Sequence, residues 1–294
     1  MSEAKYTPEE IISRLELKPV TQYQSEIISS PLEPSVVIAG AGSGKTETMS
    51  NRVLYLVANG FVTPDQILGL TFTRKAAGEL SVRIRKRLRQ LAAHKDFKHI
   101  VSTSTSVTTY HSYAGKLLSE HAIRYGIDAD AEPLGEAAIW QIASDVVRNW
   151  SDDSYRNQSA VSTVIKDLLG LSKLMLEHQV KAEDIERIGN EVLSALAPLQ
   201  GASNGEVRDV AKAMRQRNSL LPMVETFMQR RKAAGEFSFD DQMSLAADIA
   251  QNFEDVGVLE RGKYKVVLLD EYQDTSQSQV RMLSSLYGGG HPVM

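Results

Sequence analysis

The sequence predicts an α/β protein, a parallel sheet covered by helices and interrupted by an all-helical insertion. Three observations predict it. Short apolar runs alternate with helical patterns over the first 119 residues. From about 120 to 236 the strand signals vanish and helical spacing takes over. A strong apolar run, "KYKVVLLDE" (263–271), then returns. The expected organisation is therefore one α/β domain in two parts, 1–119 and 237–294, with a helical domain at 120–236 between them.

Each element has its own local signal. Thr7-Pro8-Glu9-Glu10 predicts a helix start: Thr7 as cap, Pro8 at the first helical position, Glu10 closing a capping box. Pro31 and Pro34 bracket a turn, and "SVVIAG" (35–40) predicts a short buried strand. "TETMSNRVLYLVANG" predicts a helix with Met49, Val53, Leu56 and Val57 on one stripe and Gly60 as its left-handed stop. "QILGLTF" (66–72) predicts a second strand. The helix after it carries Leu80, Ile84, Leu88 and Leu91 in register. "VTTY" (107–110) predicts a third strand. In the insertion, Ile165, Leu168, Leu169, Ser172, Met175 and Leu176 follow helical spacing, as do Ile185, Ile188, Val192 and Ala195. Pro133, Pro198, Pro222 and the "QGASNG" loop are expected to punctuate its helices. Trp140 and Trp150 fall in helical pattern and are expected in a core or a domain contact. The chain ends on "GGGHPVM" (288–294), a glycine turn followed by the start of an apolar strand.

Composition narrows the function classes. The chain has 294 residues, 42% of them apolar, and a formal net charge of −4, so any nucleic-acid site must be a local basic patch. It has no cysteine, which excludes disulfides, thiolate metal sites and thiol nucleophiles. The six histidines show no metal spacing. The N-terminus lacks an apolar signal region, and no run approaches the ~18 apolar residues of a membrane span. A soluble, cytoplasmic protein with no membrane partner is expected.

Two stretches carry chemistry. "AGAGSGKT" (39–46) lies between an expected strand and an expected helix, where backbone N–H groups of residues 42–46 can curl about an anion. Glycine lets the backbone approach a phosphate without a Cβ clash. Gly40, Ala41, Gly42, Ser43, Gly44, Lys45 and Thr46 are the nucleotide-binding candidates, with Lys45 reaching the β- and γ-phosphates and the Thr46 hydroxyl binding Mg²⁺. "VVLLDEYQD" (266–274) ends an apolar run in paired carboxylates. Phosphoryl transfer needs one carboxylate to hold Mg²⁺, a role for Asp270 through water, and one to orient the attacking water, a role for Glu271. Lys45, Asp270 and Glu271 are thus the catalytic candidates, Thr46 and Asp270 the metal candidates, and ATP or GTP with Mg²⁺ the expected ligands of a P-loop NTPase.

Several stretches in one order then resemble the N-terminal half of UvrD/Rep-type superfamily 1 DNA helicases. "TQYQ" (21–24) resembles the family's Gln motif; "AGAGSGKT" is the family's form of the phosphate loop. "LTFTRKAAGEL" (70–80) and "TTYHSYA" (108–114) resemble the motifs lining the single-strand path. "FSFDDQM" (237–243) resembles a short motif that usually opens with Asp, where this chain has Ser238. "LLDEYQDTSQSQ" (268–279) resembles the Mg²⁺ and catalytic-base motif. Within the family, "GKTET" and "DQM" are similar to an actinobacterial AdnB-like helicase–nuclease branch. One departure stands beside the loop: Glu47 occupies a position where many members carry Arg near the base.

The resemblance implies a RecA-like P-loop NTPase core, with ATP as the nucleotide, Gln24 reading the adenine edge, and Phe72, Thr73, Arg74, Thr109, Tyr110 and His111 contacting DNA. It implies an ATP-dependent helicase or translocase for DNA repair or recombination, nucleoid-associated, acting on single strands and duplex junctions, with a second helicase subunit as a further expected partner. It also implies that "HPVM" is the strand leading to a γ-phosphate sensor, so the chain is expected to be a fragment holding the first motor domain and its insertion. Two rivals stand beside this. One is a short form that binds ATP and a partner without turnover. The other is a P-loop kinase, against which the DNA-path motifs argue. The cluster Arg83, Arg85, Lys86, Arg87 and Arg89 alternates with an apolar stripe and is expected to be a solvated helix face. Arg74 and Lys75, nearer the strand end, are better phosphate candidates.

Overall fold

The computed structural model describes residues 4–40, 42–97, 104–128, 131–151, 160–199 and 205–294. Ala41 of the phosphate loop and most of the "QGASNG" loop lie outside them. The chain divides into two compact units, the first built from 1–116, 250–275 and 279–294, the second from 117–249 and 276–278.

The first unit holds a parallel sheet of three strands, β1 Ile67–Thr71, β2 Ser106–Thr109 and β3 Val266–Leu269, in the order β2-β1-β3. Leu70 of β1 pairs with Thr108 on one side and Leu269 on the other. Parallel neighbours need crossovers, and α4 (Arg74–Ala93) makes the one from β1 to β2. The other helices of this unit are α1 (Pro8–Arg14), α2 (Gln22–Ile28), α3 (Lys45–Ala58), α11 (Glu254–Lys263) and α12 (Gln277–Tyr287), with the first half of α5 (Tyr110–His121). The capping box of Thr7 and Glu10 opens α1, and Gly60, at φ 71°, follows the end of α3. One core joins Val53, Leu54 and Leu56 of α3, Leu80, Ile84, Leu88 and Leu91 of α4, and Ile67, Val266 and Leu268 of the sheet.

The strand expected at 35–40 does not form. This segment alternates: Ser35, Val37 and Ala39 are half-buried, while Val36 and Ile38 are 82% and 96% exposed. It runs beside the last residues of the chain but shares one backbone bond with them, from Ser35 N–H to the Val293 carbonyl, 2.9 Å. A ladder needs donors and acceptors along its length, and Pro292 offers no N–H. Val293 and Met294 pair instead with β3, through bonds from Met294 N–H to the Val267 carbonyl (2.9 Å) and from Leu269 N–H to the Met294 carbonyl (2.7 Å).

The second unit is helical: the end of α5, α6 (Glu136–Arg148), α7 (Val161–His178), α8 (Ala182–Leu196), α9 (Gly205–Ala233) and most of α10 (Phe239–Asn252). Its own core joins Ala143, Val146 and Val147 of α6, Val164, Ile165, Leu168 and Met175 of α7, and Leu220, Leu221, Met223, Val224 and Phe227 of α9. Trp150 packs on this core, whereas Trp140 is 41% exposed. Pro222 does not punctuate; it lies inside α9. The apolar residues on either side of it are buried, and that burial outweighs the one helical bond its missing N–H removes. Ser238 takes the cap position of α10: its N–H and Oγ donate to Asp241 Oδ2 at 2.6 and 2.8 Å, and Arg231 pairs with the same oxygen. Ser does there what the Asp usual at that position could do, since both cap helices through a side-chain oxygen. No described helix is long and apolar enough to cross a membrane.

Candidate nucleotide and nucleic-acid site

The loop 39–46 leads directly into the first turn of α3. Gly42 and Gly44 hold φ of 76° and 89°, left-handed values that favour glycine. Gly44 is the N-cap of α3 and supplies no side-chain cap. The first turn of a helix leaves orphan N–H groups and a partial positive charge, so the start of α3 at Lys45, Thr46 and Glu47 suits an anion. Lys45 Nζ lies 3.5 Å from the Ala39 carbonyl and 3.6 Å from Glu271 Oε1, which brings the two catalytic candidates together across the loop. These donors, a mobile-stemmed ammonium and a facing carboxylate pair fit a Mg²⁺-bound triphosphate.

Asp270 and Glu271 follow β3 directly. The Asp270 N–H still donates to the Leu70 carbonyl, 2.9 Å, so the sheet fixes its backbone. Burial, and then the charge of Glu271, push the Asp270 carboxyl above the ordinary aspartate range. A bound divalent cation would reverse that, since it favours the charged form. Glu271 sits at φ 52°, an uncommon conformation for a residue with a Cβ, and Gln273 Nε2 donates to its Oε2. Backbone strain of this kind, held by neighbours, is a recurrent mark of functional positions.

Gln24 is placed against the loop. Its Nε2 donates to the Ser43 carbonyl, 3.1 Å, while its Oε1 accepts from Thr21 N–H, 3.0 Å, in the capping box of α2. The side chain therefore braces the phosphate loop from the helix that precedes it.

The nucleic-acid candidates cluster on the same edge, because the C-terminal ends of parallel strands share one side of the sheet. Phe72 follows β1, is 37% exposed, and meets Tyr110 edge-on, ring centroids 5.5 Å apart. Tyr110 itself is 1% exposed, with its hydroxyl donating to the Asp270 carbonyl, 3.2 Å. It links the Phe72 edge to the carboxylate pair rather than offering a face to a base. Thr73 and Thr109 cap helices: Thr73 Oγ1 accepts from Ala76 N–H, 3.1 Å, and Thr109 Oγ1 from Ser112 N–H, 3.1 Å. Arg74 and His111 are exposed.

Three features escaped the sequence reading. Arg52 is 2% exposed and donates to the carbonyls of Ile27, Ile28, Ser30 and Pro31, each at 3.0 Å, closing the C-terminus of α2 onto α3. Burial pushes its pKa down to about 10. Glu47 pairs with Arg87 and, at 3.5 Å, with Arg83, while Arg87 also donates to Asn51 at 2.5 Å. Tyr113, two residues past His111, donates to Glu260 Oε2 and meets the Tyr287 hydroxyl, both at 2.6 Å. That buried network ties α5 to α11 and α12.

Comparison with known proteins agrees with this geometry. The profile of the UvrD/REP helicase N-terminal domain matches residues 20–294. The chain is 27% identical over 283 residues to the ATP-dependent DNA helicase UvrD1 of Mycobacterium leprae, covering 96% of this chain and 32% of that protein. It is 29% identical over 255 residues to UvrD1 of Mycobacterium tuberculosis strain H37Rv, covering 87% and 28%. It is 26% identical over 269 residues to the ATP-dependent DNA helicase PcrA of Staphylococcus aureus strain NCTC 8325, covering 90% and 31%. The chain thus spans about a third of the length of these relatives. With a glycine-rich loop whose Lys45 faces Glu271 of the Asp-Glu pair after β3, and a family match over nearly its whole length, the chain belongs to the UvrD/REP helicase N-terminal domain family.

Proposed function

We propose that this chain is the ATP-binding and single-strand-binding part of an ATP-dependent DNA helicase or translocase serving DNA repair or recombination. One observation carries the reading: Lys45 of the loop and Glu271 of the Asp-Glu pair face each other at 3.6 Å, on the sheet edge that also presents Phe72. The unit with the sheet is the first motor domain, and the helical unit is its insertion, which in the whole protein meets duplex junctions. The start of α3 and Lys45 would bind the β- and γ-phosphates, and Thr46 and Asp270 would hold Mg²⁺, Asp270 through water. A cation held there would supply positive charge against the charge that develops on the phosphate oxygens. Glu271 orients the attacking water and accepts its proton. Phe72 stacks under a base, an interaction worth roughly 1–3 kcal/mol, with Tyr110 supporting its edge, and Arg74 and His111 contact the strand beside it. Gln24 joins the adenine end of the site to the loop it braces.

Lys45→Ala tests the nucleotide half. Lys45 opens α3 and is no part of the apolar core, so the variant should melt like the parent while losing Mg-ATP affinity by tenfold or more in a fluorescent-nucleotide titration. Equal affinity in the two proteins would remove the loop assignment. Phe72→Ala should weaken single-strand binding and leave nucleotide affinity unchanged.

A further inference from the structure

We propose that the exposed face of α4 is a docking surface for the phosphate backbone of duplex DNA. This rests on the nucleic-acid reading above and adds a site to it. α4 carries seven cations, Arg74, Lys75, Arg83, Arg85, Lys86, Arg87 and Arg89. The structure divides them. Arg83 and Arg87 turn toward Glu47, and Arg87 is buried there. Arg74, Lys75, Arg85, Lys86 and Arg89 are exposed, and among the described residues none of the five pairs with a carboxylate. At 3.6 residues per turn they share one arc with Gly78, Glu79 and Val82, along about 22 Å of helix axis. Five cations against the single Glu79 make this face locally basic in a chain whose formal net charge is −4.

The chemistry of the face selects its occupant. Its exposed positions, 74, 75, 78, 79, 82, 85, 86, 89, 90 and 93, include no aromatic side chain. Single strands are held by a basic groove combined with aromatic platforms on which bases stack, and this face has the charge without the platforms. It offers point charges to phosphates with no means of reading a base, which suits the backbone of a duplex. It also starts at Arg74, two residues from Phe72, so it extends the proposed single-strand edge without a break.

The test is a salt titration of binding by the 294-residue chain to a blunt duplex and to a single strand of equal length, read by fluorescence anisotropy. The parent is compared with the triple variant Arg85→Gln, Lys86→Gln, Arg89→Gln. Each lost phosphate contact lowers the slope of log K against log salt by about 0.9 on a duplex, so the variant's duplex slope should fall by about 2–3. Its single-strand slope, its Mg-ATP affinity and its melting temperature should not change. An unaltered duplex slope overturns the proposal while the Phe72-dependent single-strand reading stands. An equal loss on the single strand overturns it too, by assigning these cations to the single-strand path. If the parent binds neither DNA, the underlying reading falls and the proposal with it.

Discussion

Glu47 shows how a single residue changes the electrostatics of a nucleotide site. It lies in the first turn of α3, directly after Thr46, where a carboxylate is favoured by the helix dipole yet would be repelled by the triphosphate proposed to bind there. Arg87 and Arg83 neutralise it. Arg87→Gln should therefore weaken Mg-ATP binding by about threefold to tenfold, the effect of one uncompensated charge at close range in a partly screened site. Adding Glu47→Gln should restore the affinity. Loss of affinity that Glu47→Gln fails to rescue would show that Arg87 acts only through packing, and unchanged affinity in the single variant would show that Glu47 does not matter to the nucleotide. The loop and the Asp-Glu pair were legible from sequence because their chemistry is local: glycines, a lysine and paired acids at fixed offsets. Arg52 was not. An arginine in a helix reads as a solvated face, and its four acceptors are backbone carbonyls, which no side-chain pattern displays.

At the scale of elements, apolar runs located the strands that have paired neighbours on both sides or a covered face, and misjudged the one that does not. "ILGLT" in β1 is buried throughout, and "VVLL" in β3 is buried except for its half-buried last residue, Leu269. "SVVIAG" is likewise apolar, but its Val36 and Ile38 face outward, and among the described residues Ser35 N–H makes its one backbone bond to the C-terminal segment beside it. Pro222 was misread for the converse reason: local propensity argued for a break, and burial on both sides of it prevailed. The C-terminal segment that lies beside 35–40 carries its own pH dependence. His291 packs on Tyr287, ring centroids 5.2 Å apart, and its Nε2 is buried without a hydrogen-bond partner. Burial, then the charges of Arg261 and Lys265, hold its pKa below the ordinary histidine value of 6.5. Between the depressed folded value and 6.5 the unfolded chain binds more protons than the folded one, so stability rises with pH across that window and is lost as pH falls through it. Urea unfolding at pH 7.5 and pH 5.5 should show a smaller acid loss for His291→Asn than for the parent. Equal losses would mean that His291 is as easily protonated folded as unfolded.

Among the described residues each of the two units holds an apolar cluster of its own, and the sequence changes period near residue 120, close to where the second unit begins. The first core is built on α3, α4 and the sheet, the second on α6, α7 and α9, and each is described by its own set of buried residues. The structure groups residues 237–249 with the helical unit, a boundary that no periodicity marks, because α10 continues with helical spacing across it. Two units with apolar clusters of their own are expected to unfold in two steps unless their coupling exceeds their difference in stability. Both tryptophans, Trp140 and Trp150, belong to the helical unit, so intrinsic tryptophan fluorescence reports that unit while far-ultraviolet circular dichroism reports both. The nucleotide loop belongs to the other unit. A ligand stabilises the state that binds it by about 2.7 kcal/mol at a free concentration of 100 Kd. Saturating Mg-ATP should therefore shift one of two dichroism transitions to higher urea and leave the tryptophan transition where it was. A tryptophan transition that moves with Mg-ATP by the same amount would show that the two units unfold as one, and that the nucleotide stabilises the helical unit through their coupling.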